Sequence, residues 1–160
     1  MWEGTERALV AAPPDRVWAV ITDVGGHADL AGSGEIGAVR LHAPVAFGST
    51  WEADIRVPGL DEPFVSRSEV VVFNAPTEFA WTSEPRPIVP GDPRSVPEVT
   101  WWFRLAAGAD GTTVEHTFRV VEPEVAADQL TEFFERTNRV ESLRAGMRPT
   151  LENIKARADV

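Results

Sequence analysis

The residues best suited to acid–base chemistry are the three histidines, and His116 has the most suggestive position. It falls on the apolar side of a predicted strand, in alternation with Val114, Phe118 and Val120. A neutral imidazole can both donate and accept a hydrogen bond and changes charge near neutral pH, so His116 could bind or protonate a polar group of a ligand. A structural histidine bonded to a backbone carbonyl would occupy the same kind of position, and the sequence leaves both interpretations open.

The other reactive side chains form no catalytic or metal-binding pattern. Cysteine is absent, which excludes thiolate ligands and cysteine nucleophiles. We expect His27, after the first helical segment, to face solvent or anchor a loop, and we expect His42 on the surface. The histidines are far apart, and the patterns H-E-x-x-H and G-x-S-x-G and a phosphate loop are missing. The sequence therefore predicts no metal site and no cofactor.

A strand-rich fold must position these side chains, because apolar residues alternate with period two through the middle of the chain. A first strand at 5–11 is followed by helical spacing over 12–26, and then by a further short helical turn. Antiparallel pairing is favoured because consecutive strands are joined by short turns. From Pro123 to the end the spacing is helical, and this long segment is large enough to cover a sheet. The remaining strands are predicted at 36–42, 48–57, 64–73, 78–83, 99–106 and 113–121.

Period two also predicts which side chains face the C-terminal helix. The neighbours Trp101 and Trp102 must point to opposite faces of their strand. We place Trp101 inward because it alternates with Val99, Phe103 and Leu105, and we place Trp102 outward. The same reasoning predicts an aromatic inner surface that either fills a core or lines a cavity. The ligand-binding residues proposed on this basis are Trp51, Ile55, Phe79, Trp81, Trp101, Phe103 and Phe118 on the strands, with Leu143 and Met147 on the helix.

Length and charge narrow the class of protein. A chain of 160 residues is expected to form a single domain, residues 1–160. The formal net charge of -10 argues against broad electrostatic binding to nucleic acid or anionic lipid. No apolar run approaches the roughly 18 residues of a membrane span. The first residues lack the layout of a signal peptide, so we expect a cytoplasmic protein.

Three stretches resemble the SRPBCC superfamily, which includes START-like, Bet v 1-like and polyketide cyclase/dehydrase proteins. APPDRVWAVITDV at 12–24 is similar to the opening helix of that family, and AGMRPTLENIKARAD at 145–159 is similar to the end of its C-terminal helix. GSTW at 48–51 resembles the start of its third strand. The resemblance implies an α+β helix-grip fold, in which a curved antiparallel sheet of about seven strands wraps around a long C-terminal helix. Two short helices are expected after the first strand, and a cavity between sheet and helix.

The resemblance also suggests a role for Arg67. In aromatase/cyclase members of the superfamily an inward arginine binds and polarises the polyketide. Alternation places Ser66 and Ser68 inward and Arg67 outward with Glu69, so Arg67 could take that role only if a bulge reversed the alternation here. A surface ion pair is the alternative.

Three functions follow as hypotheses. The first is binding of a small hydrophobic molecule, such as a lipid, a polyketide or an aromatic compound, in the internal cavity. The second is an enzyme of polyketide cyclase/dehydratase type, with His116 and Arg67 as candidate catalytic residues. The third is a non-catalytic interaction protein, with a homodimer as one possibility, in which Trp2 or Trp102 lies in an interface.

Overall fold

A computed structural model of the chain describes residues 2–41, 44–57, 63–86, 98–120 and 127–159. The predicted surface position of His42 lies outside the described residues. The strands are β1 (Trp2–Val10), β2 (Ile36–Arg40), β3 (Thr50–Ile55), β4 (Phe64–Asn74), β5 (Glu78–Arg86), β6 (Val99–Gly108) and β7 (Gly111–Val120). The helices are α1 (Pro14–Ile21), α2 (His27–Leu30), α3 (Ala127–Arg136) and α4 (Arg139–Ala158), with a 3₁₀ turn at Val24–Gly26.

Within the described residues, seven strands form one antiparallel sheet in the order β1-β7-β6-β5-β4-β3-β2. The first strand pairs with the last, with Trp2 opposite Val120, while β2 to β7 follow one another in chain order. The sheet is curved, and the long helix α4 lies on its inner side. The predicted α+β helix-grip fold with short helices after the first strand is therefore confirmed.

Helix α1 begins at the predicted proline but ends at Ile21, earlier than the predicted helical segment 12–26, whose last residues form the separate 3₁₀ turn. Pro14 occupies the first turn, where a missing backbone N–H costs no hydrogen bond, and Asp15 lies at the positive end of the helix dipole. Val17 and Ile21 are one turn apart and both fully buried. The next residue, Thr22, caps the helix, and its hydroxyl donates a hydrogen bond to the carbonyl of Trp18. This helix covers one end of the sheet's inner face.

Helix α4 lies along one side of the sheet, and its nearest strands are β1 and β7. Leu151 and Ile154 join the main hydrophobic core together with α1. One to two turns earlier, Leu143 and Met147 form a second cluster with Phe118. No helix of the described chain segments combines the length and hydropathy that a membrane span requires. The main core therefore lies under α1 and α4 and extends across the inner face of the sheet as far as Trp51 on β3.

Several predicted boundaries differ from the observed ones, and three of the differences have a clear structural reason. The first strand begins at Trp2, because alternation continues upstream of residue 5 along the pairing with β7. Strand β5 continues to Arg86, beyond its predicted end at Ser83, because the backbone of residues 84–86 also pairs with β4. The C-terminal helical segment is two helices, because Asn138 adopts the left-handed conformation at φ 47° and interrupts the hydrogen bonding between α3 and α4.

The loop between α2 and β2 is held closely against α4. The backbone N–H of Gly32 donates to the hydroxyl of Thr150 at 2.8 Å, and the side-chain amide of Asn153 donates to the carbonyl of Leu30 at 2.9 Å. Gly146 makes the approach possible, because a Cβ there would lie 2.8 Å from Cβ of Ser33. We call residues 31–35 the clamp loop, since it fixes α4 relative to the far side of the sheet.

We expect Gly32→Ala to lower the free energy of unfolding by about 1–3 kcal/mol, the usual effect of forcing an extra methyl group into a packed contact. The new Cβ would lie 2.8 Å from the backbone nitrogen of Thr150, and it would also collide with the ring of Pro149. Gly25→Ala is the matched control, because its Cβ would meet nothing closer than 3.7 Å, and we expect a change within about 0.5 kcal/mol. Urea denaturation of both variants tests the contact, and equal stabilities would contradict it.

Candidate functional site

A cavity of ≈ 170 Å³ lies between the inner face of the sheet, the clamp loop and helices α3 and α4. One water molecule needs only about 10–15 Å³ of cavity volume, so the cavity has room for a small organic molecule. Its apolar wall is built from all the strands between β2 and β6, and α4 supplies the opposite side. The apolar lining includes Ile36, Val39, Trp51, Ile55, Val57, Phe64, Trp81, Val99, Trp101, Phe103, Leu143 and Met147.

Aromatic rings form a continuous band across this wall. The ring centroids of Trp51 and Trp81 are 6.3 Å apart, and those of Trp81 and Phe103 are 5.9 Å apart. Both distances fall in the range of attractive aromatic pairs. The band continues through His116 to Trp101, with centroids 4.0 Å apart from Phe103 to His116 and 5.6 Å apart from His116 to Trp101. The rings therefore contact one another in sequence along the cavity wall.

Most of the proposed ligand-binding residues line this cavity. They are Trp51, Ile55, Trp81, Trp101, Phe103, Leu143 and Met147. Phe79 and Phe118 do not line it, although they face inward as predicted and are wholly buried. Phe79 is covered by Trp18 of α1, and Phe118 lies in the cluster under α4 with Met147. The prediction failed for these two residues because alternation gives the face of a sheet but not the position of the helix above it.

His116 lines the cavity with one ring nitrogen already engaged. Its Nδ1 lies 2.9 Å from the carbonyl oxygen of Trp102, and its ring is stacked on Phe103 at an interplanar angle of 8°. A carbonyl oxygen only accepts hydrogen bonds, so Nδ1 carries the proton in the neutral ring. This contact is the structural role that the sequence left open. The other nitrogen, Nε2, has no hydrogen-bond partner among the described residues.

Burial lowers the pKa of His116 from 6.5 to about 4, because a charged imidazolium would lose its hydration. The hydrogen bond to the Trp102 carbonyl raises the pKa in opposition, and the nearby His27 lowers it further. His116 is therefore neutral at pH 7. A base with this low pKa accepts a hydrogen bond but takes up a proton poorly near neutral pH.

His27 is buried and lines the cavity, which corrects the expectation that it faces solvent. Its Nε2 donates a hydrogen bond to the carbonyl of Ile21 at 2.8 Å, and its ring centroid lies 5.4 Å from that of Trp81. Burial lowers its pKa as well, so this ring is neutral too. The alternative expectation of an anchoring role fits the Ile21 bond. A helix of four residues carries no periodicity from which its buried side could have been predicted.

The remaining polar side chains of the lining are serines, Thr150 and one ion pair. Ser66 and Ser68 on β4 are buried as the alternation predicts, and Ser83 lies opposite Ser68 on β5. Arg139 binds Glu35 through two N–O contacts of 2.7 and 3.4 Å, and the two side chains are only 11% and 12% exposed. This pair joins the clamp loop to the start of α4. The sequence analysis missed it because the partners are 104 positions apart.

Arg67 lies on the opposite face of the sheet, so the proposed catalytic role has no structural basis. Its side chain is exposed, and its strand neighbours across β4 are Glu52 and Glu84. A register irregularity does occur in β4, but it falls between Val70 and Val72 and leaves the alternation at Arg67 unchanged. The surface alternative is the better interpretation of this residue.

The two tryptophans proposed for an interface have partners within the chain. Trp102 points to the outer face as predicted, where the guanidinium groups of Arg104 and Arg119 lie 5.8 and 5.3 Å from its ring centroid. Trp2 is stacked on Phe134 with centroids 4.4 Å apart. Among the described residues, no three His, Asp or Glu side chains are grouped closely enough to hold a metal ion.

We expect His116 to titrate near pH 4 in an NMR titration of its ring. Because the unfolded chain binds the proton from about pH 6.5 downward and the native chain does not, His116 destabilises the native state increasingly between pH 6.5 and 4. The full lowering of the His116 pKa corresponds to a loss of about 3 kcal/mol in the free energy of unfolding. His116→Gln should therefore lose stability less steeply than the wild type over this range in urea denaturation. Equal slopes, or titration near pH 6.5, would contradict the assignment.

The fold is similar to that of solved proteins at low sequence identity. The Zhui aromatase/cyclase from Streptomyces sp. R1128 gives a TM-score of 0.66 at 18% identity, over 99% of this chain and 93% of that chain. The di-domain ARO/CYC BexL from the BE-7585A biosynthetic pathway gives 0.65 at 17%, over 99% and 50%. A protein from Arthrobacter aurescens gives 0.68 at 15%, over 98% and 86%. No curated protein matches the sequence significantly. The model of the family described as "Polyketide cyclase / dehydrase and lipid transport" matches residues 1–159, and the chain belongs to that family.

Proposed function

We propose that this protein binds a small, mainly apolar molecule with at least one ring in the cavity between its sheet and α4. The observation that carries the proposal is the cavity of ≈ 170 Å³ with an aromatic wall. Protein interiors are normally close-packed, so unfilled space of this size between the sheet and its covering helix is itself informative. A buried apolar cavity of about 150 Å³ is large enough to bind benzene in another protein.

The wall favours a flat ligand over a flexible chain. Trp81, Phe103 and Trp101 line the same cavity, and aromatic pairs are attractive in offset or edge-on arrangements. Each square ångström of apolar surface that the ligand buries contributes about 25 cal/mol before the costs of ordering are subtracted. A rigid ring loses less conformational entropy on binding than an acyl chain of equal area, so more of this contribution remains.

The relatives support this class of ligand. The family description joins polyketide cyclases and dehydrases with lipid transport. The titles of the Zhui and BexL structures describe aromatase/cyclases. The aromatase/cyclase titles imply ring-containing ligands, and the aromatic wall of this cavity suits such ligands as well.

An enzyme of cyclase or dehydratase type is the second candidate, and the neutral rings of His116 and His27 in the cavity lining favour it. With a pKa of about 4, His116 would contribute mainly by accepting a hydrogen bond and orienting the substrate. The serine hydroxyls of Ser66, Ser68 and Ser83 can donate hydrogen bonds to substrate carbonyl groups. The interaction-protein and homodimer hypotheses stay predictions without a specific observation in their favour.

The adjacent tryptophans provide a matched test of ligand binding. We expect Trp101→Ala to weaken binding of 2-naphthol by at least about tenfold, because a large ring is removed from the cavity wall. Trp102→Ala removes the same side chain from the outer face of the same strand and should leave the affinity within about twofold. Isothermal titration calorimetry measures both, with dodecanoate as an acyl-chain comparison. Equal effects of the two substitutions would place the ligand elsewhere.

The enzyme candidate is tested with a synthetic poly-β-ketone ester, whose cyclisation is followed by ultraviolet absorbance. If the protein is a cyclase, the wild type should accelerate cyclisation over buffer, and His116→Ala should reduce the rate at least about tenfold. Arg67→Ala should leave the rate unchanged, since Arg67 lies on the other face of the sheet. Full activity of His116→Ala, or loss of activity in Arg67→Ala, would refute these roles.

A further inference from the structure

We propose that the ligand presents a hydrogen-bond donor, a phenolic or enolic hydroxyl group, to Nε2 of His116. The ligand class is then the hydroxylated aromatic compounds, in preference to the ketones, ethers or hydrocarbons of the same shape. This inference rests on the proposed function and adds to it which partner donates the hydrogen bond between the ligand and His116.

The first step is the tautomer of His116. Nδ1 lies 2.9 Å from the carbonyl oxygen of Trp102, a good hydrogen-bond distance. The oxygen has no hydrogen to give, so the proton of the neutral ring is on Nδ1. Nε2 consequently carries a lone pair and can only accept.

The second step is the fixed orientation of the ring. Phe103 lies against it with a centroid distance of 4.0 Å and nearly parallel planes, and Trp101 is stacked at 5.6 Å. A flip of the ring would exchange its nitrogen and carbon edges and break the bond to Trp102. That loss would leave a buried polar group without a partner, which is costly. The lone pair of Nε2 therefore keeps one direction.

The third step is the surroundings of Nε2. It has no partner among the described residues, yet no fully enclosed side-chain nitrogen or oxygen atom in the described segments lacks one. Nε2 must accordingly retain some contact with open space, and His116 is part of the cavity lining. A ligand hydroxyl can bond to it there. A ligand ketone or ether oxygen would instead bring a second lone pair against the first.

His27 also lines the cavity, and because its Nε2 donates to the carbonyl of Ile21, its Nδ1 can likewise only accept. Its ring lies against Trp81 and outside the Phe103–His116–Trp101 stack. The hydroxyl groups of the lining do not impose this choice. Hydroxyl groups such as those of Ser66, Ser68 and Ser83 rotate and can donate or accept. They can therefore bind further ligand oxygens of either kind. His116 is a fixed acceptor in the aromatic band, and this makes it a determinant of specificity.

The test compares 2-naphthol with 2-methoxynaphthalene, which share the ring system but differ in the ability to donate. We expect the wild type at pH 7 to bind 2-naphthol about tenfold more tightly in calorimetry. In His116→Phe the acceptor is gone, and the preference should fall to about onefold. Thr113→Val is the control, because Thr113 is exposed on the outer face of the same strand and its loss should keep the wild-type preference.

A measurement on the wild type makes the test independent of whether His116→Phe folds. In ¹⁵N–¹H correlation spectra of the histidine rings, His116 should show a protonated Nδ1 and an unprotonated Nε2. Addition of 2-naphthol should shift the Nε2 resonance, and addition of 2-methoxynaphthalene should leave it in place.

The outcomes separate the inference from the function on which it rests. If neither 2-naphthol nor 2-methoxynaphthalene nor any other ring compound binds, the proposed function fails and the inference fails with it. If both compounds bind equally tightly and Nε2 does not respond, the cavity binds ligands but the inference is wrong. A preference for 2-naphthol that persists in His116→Phe would also overturn it, because the hydroxyl would then meet another acceptor.

Discussion

A single helix cannot contact every strand of a wide curved sheet, and the site depends on this constraint. Helix α4 lies nearest to β1 and β7, where Phe118 and Met147 form a close cluster with it. Toward the far side of the sheet the distance to the helix grows. Large rings such as Trp51 and Trp81 occupy part of that space, and the cavity is what remains. The clamp loop maintains the gap, because it fixes α4 at a set distance through Gly32, Thr150 and the pair of Glu35 with Arg139.

Within the part of the chain that the structure describes, the cavity wall carries no unpaired charge from its ionisable side chains. Ionised groups in the lining are paired, as with Glu35 and Arg139, and the imidazoles of His27 and His116 are held neutral by burial. Each imidazole gives one N–H to a backbone carbonyl. The interior is thus polar at a few fixed points and otherwise apolar, which suits a neutral molecule with few polar groups.

Alternation and the resemblance of short stretches were enough to predict the element order, the fold and the faces of Trp101 and Arg67. They did not predict that Phe79 lies beneath α1, because the position of a covering helix depends on contacts between distant segments. His27 was misplaced for a related reason, since a single turn of helix has no period. The ion pair of Glu35 and Arg139 joins residues far apart in sequence. The sequence therefore predicted strand residues that line the cavity, but not the contacts that join the clamp loop to α4 on its other side.

The hydrogen bond from His116 to Trp102 involves the main chain of Trp102 and not its side chain. The donor-or-acceptor character of the inner imidazole is thus inherited from how β6 and β7 are aligned, with Phe103 opposite His116. Substitutions of the surrounding side chains would change the shape of the cavity, while Nε2 of His116 would remain a hydrogen-bond acceptor. Descendants of this protein could change the size of molecule they accept far more readily than the one polar feature they require of it.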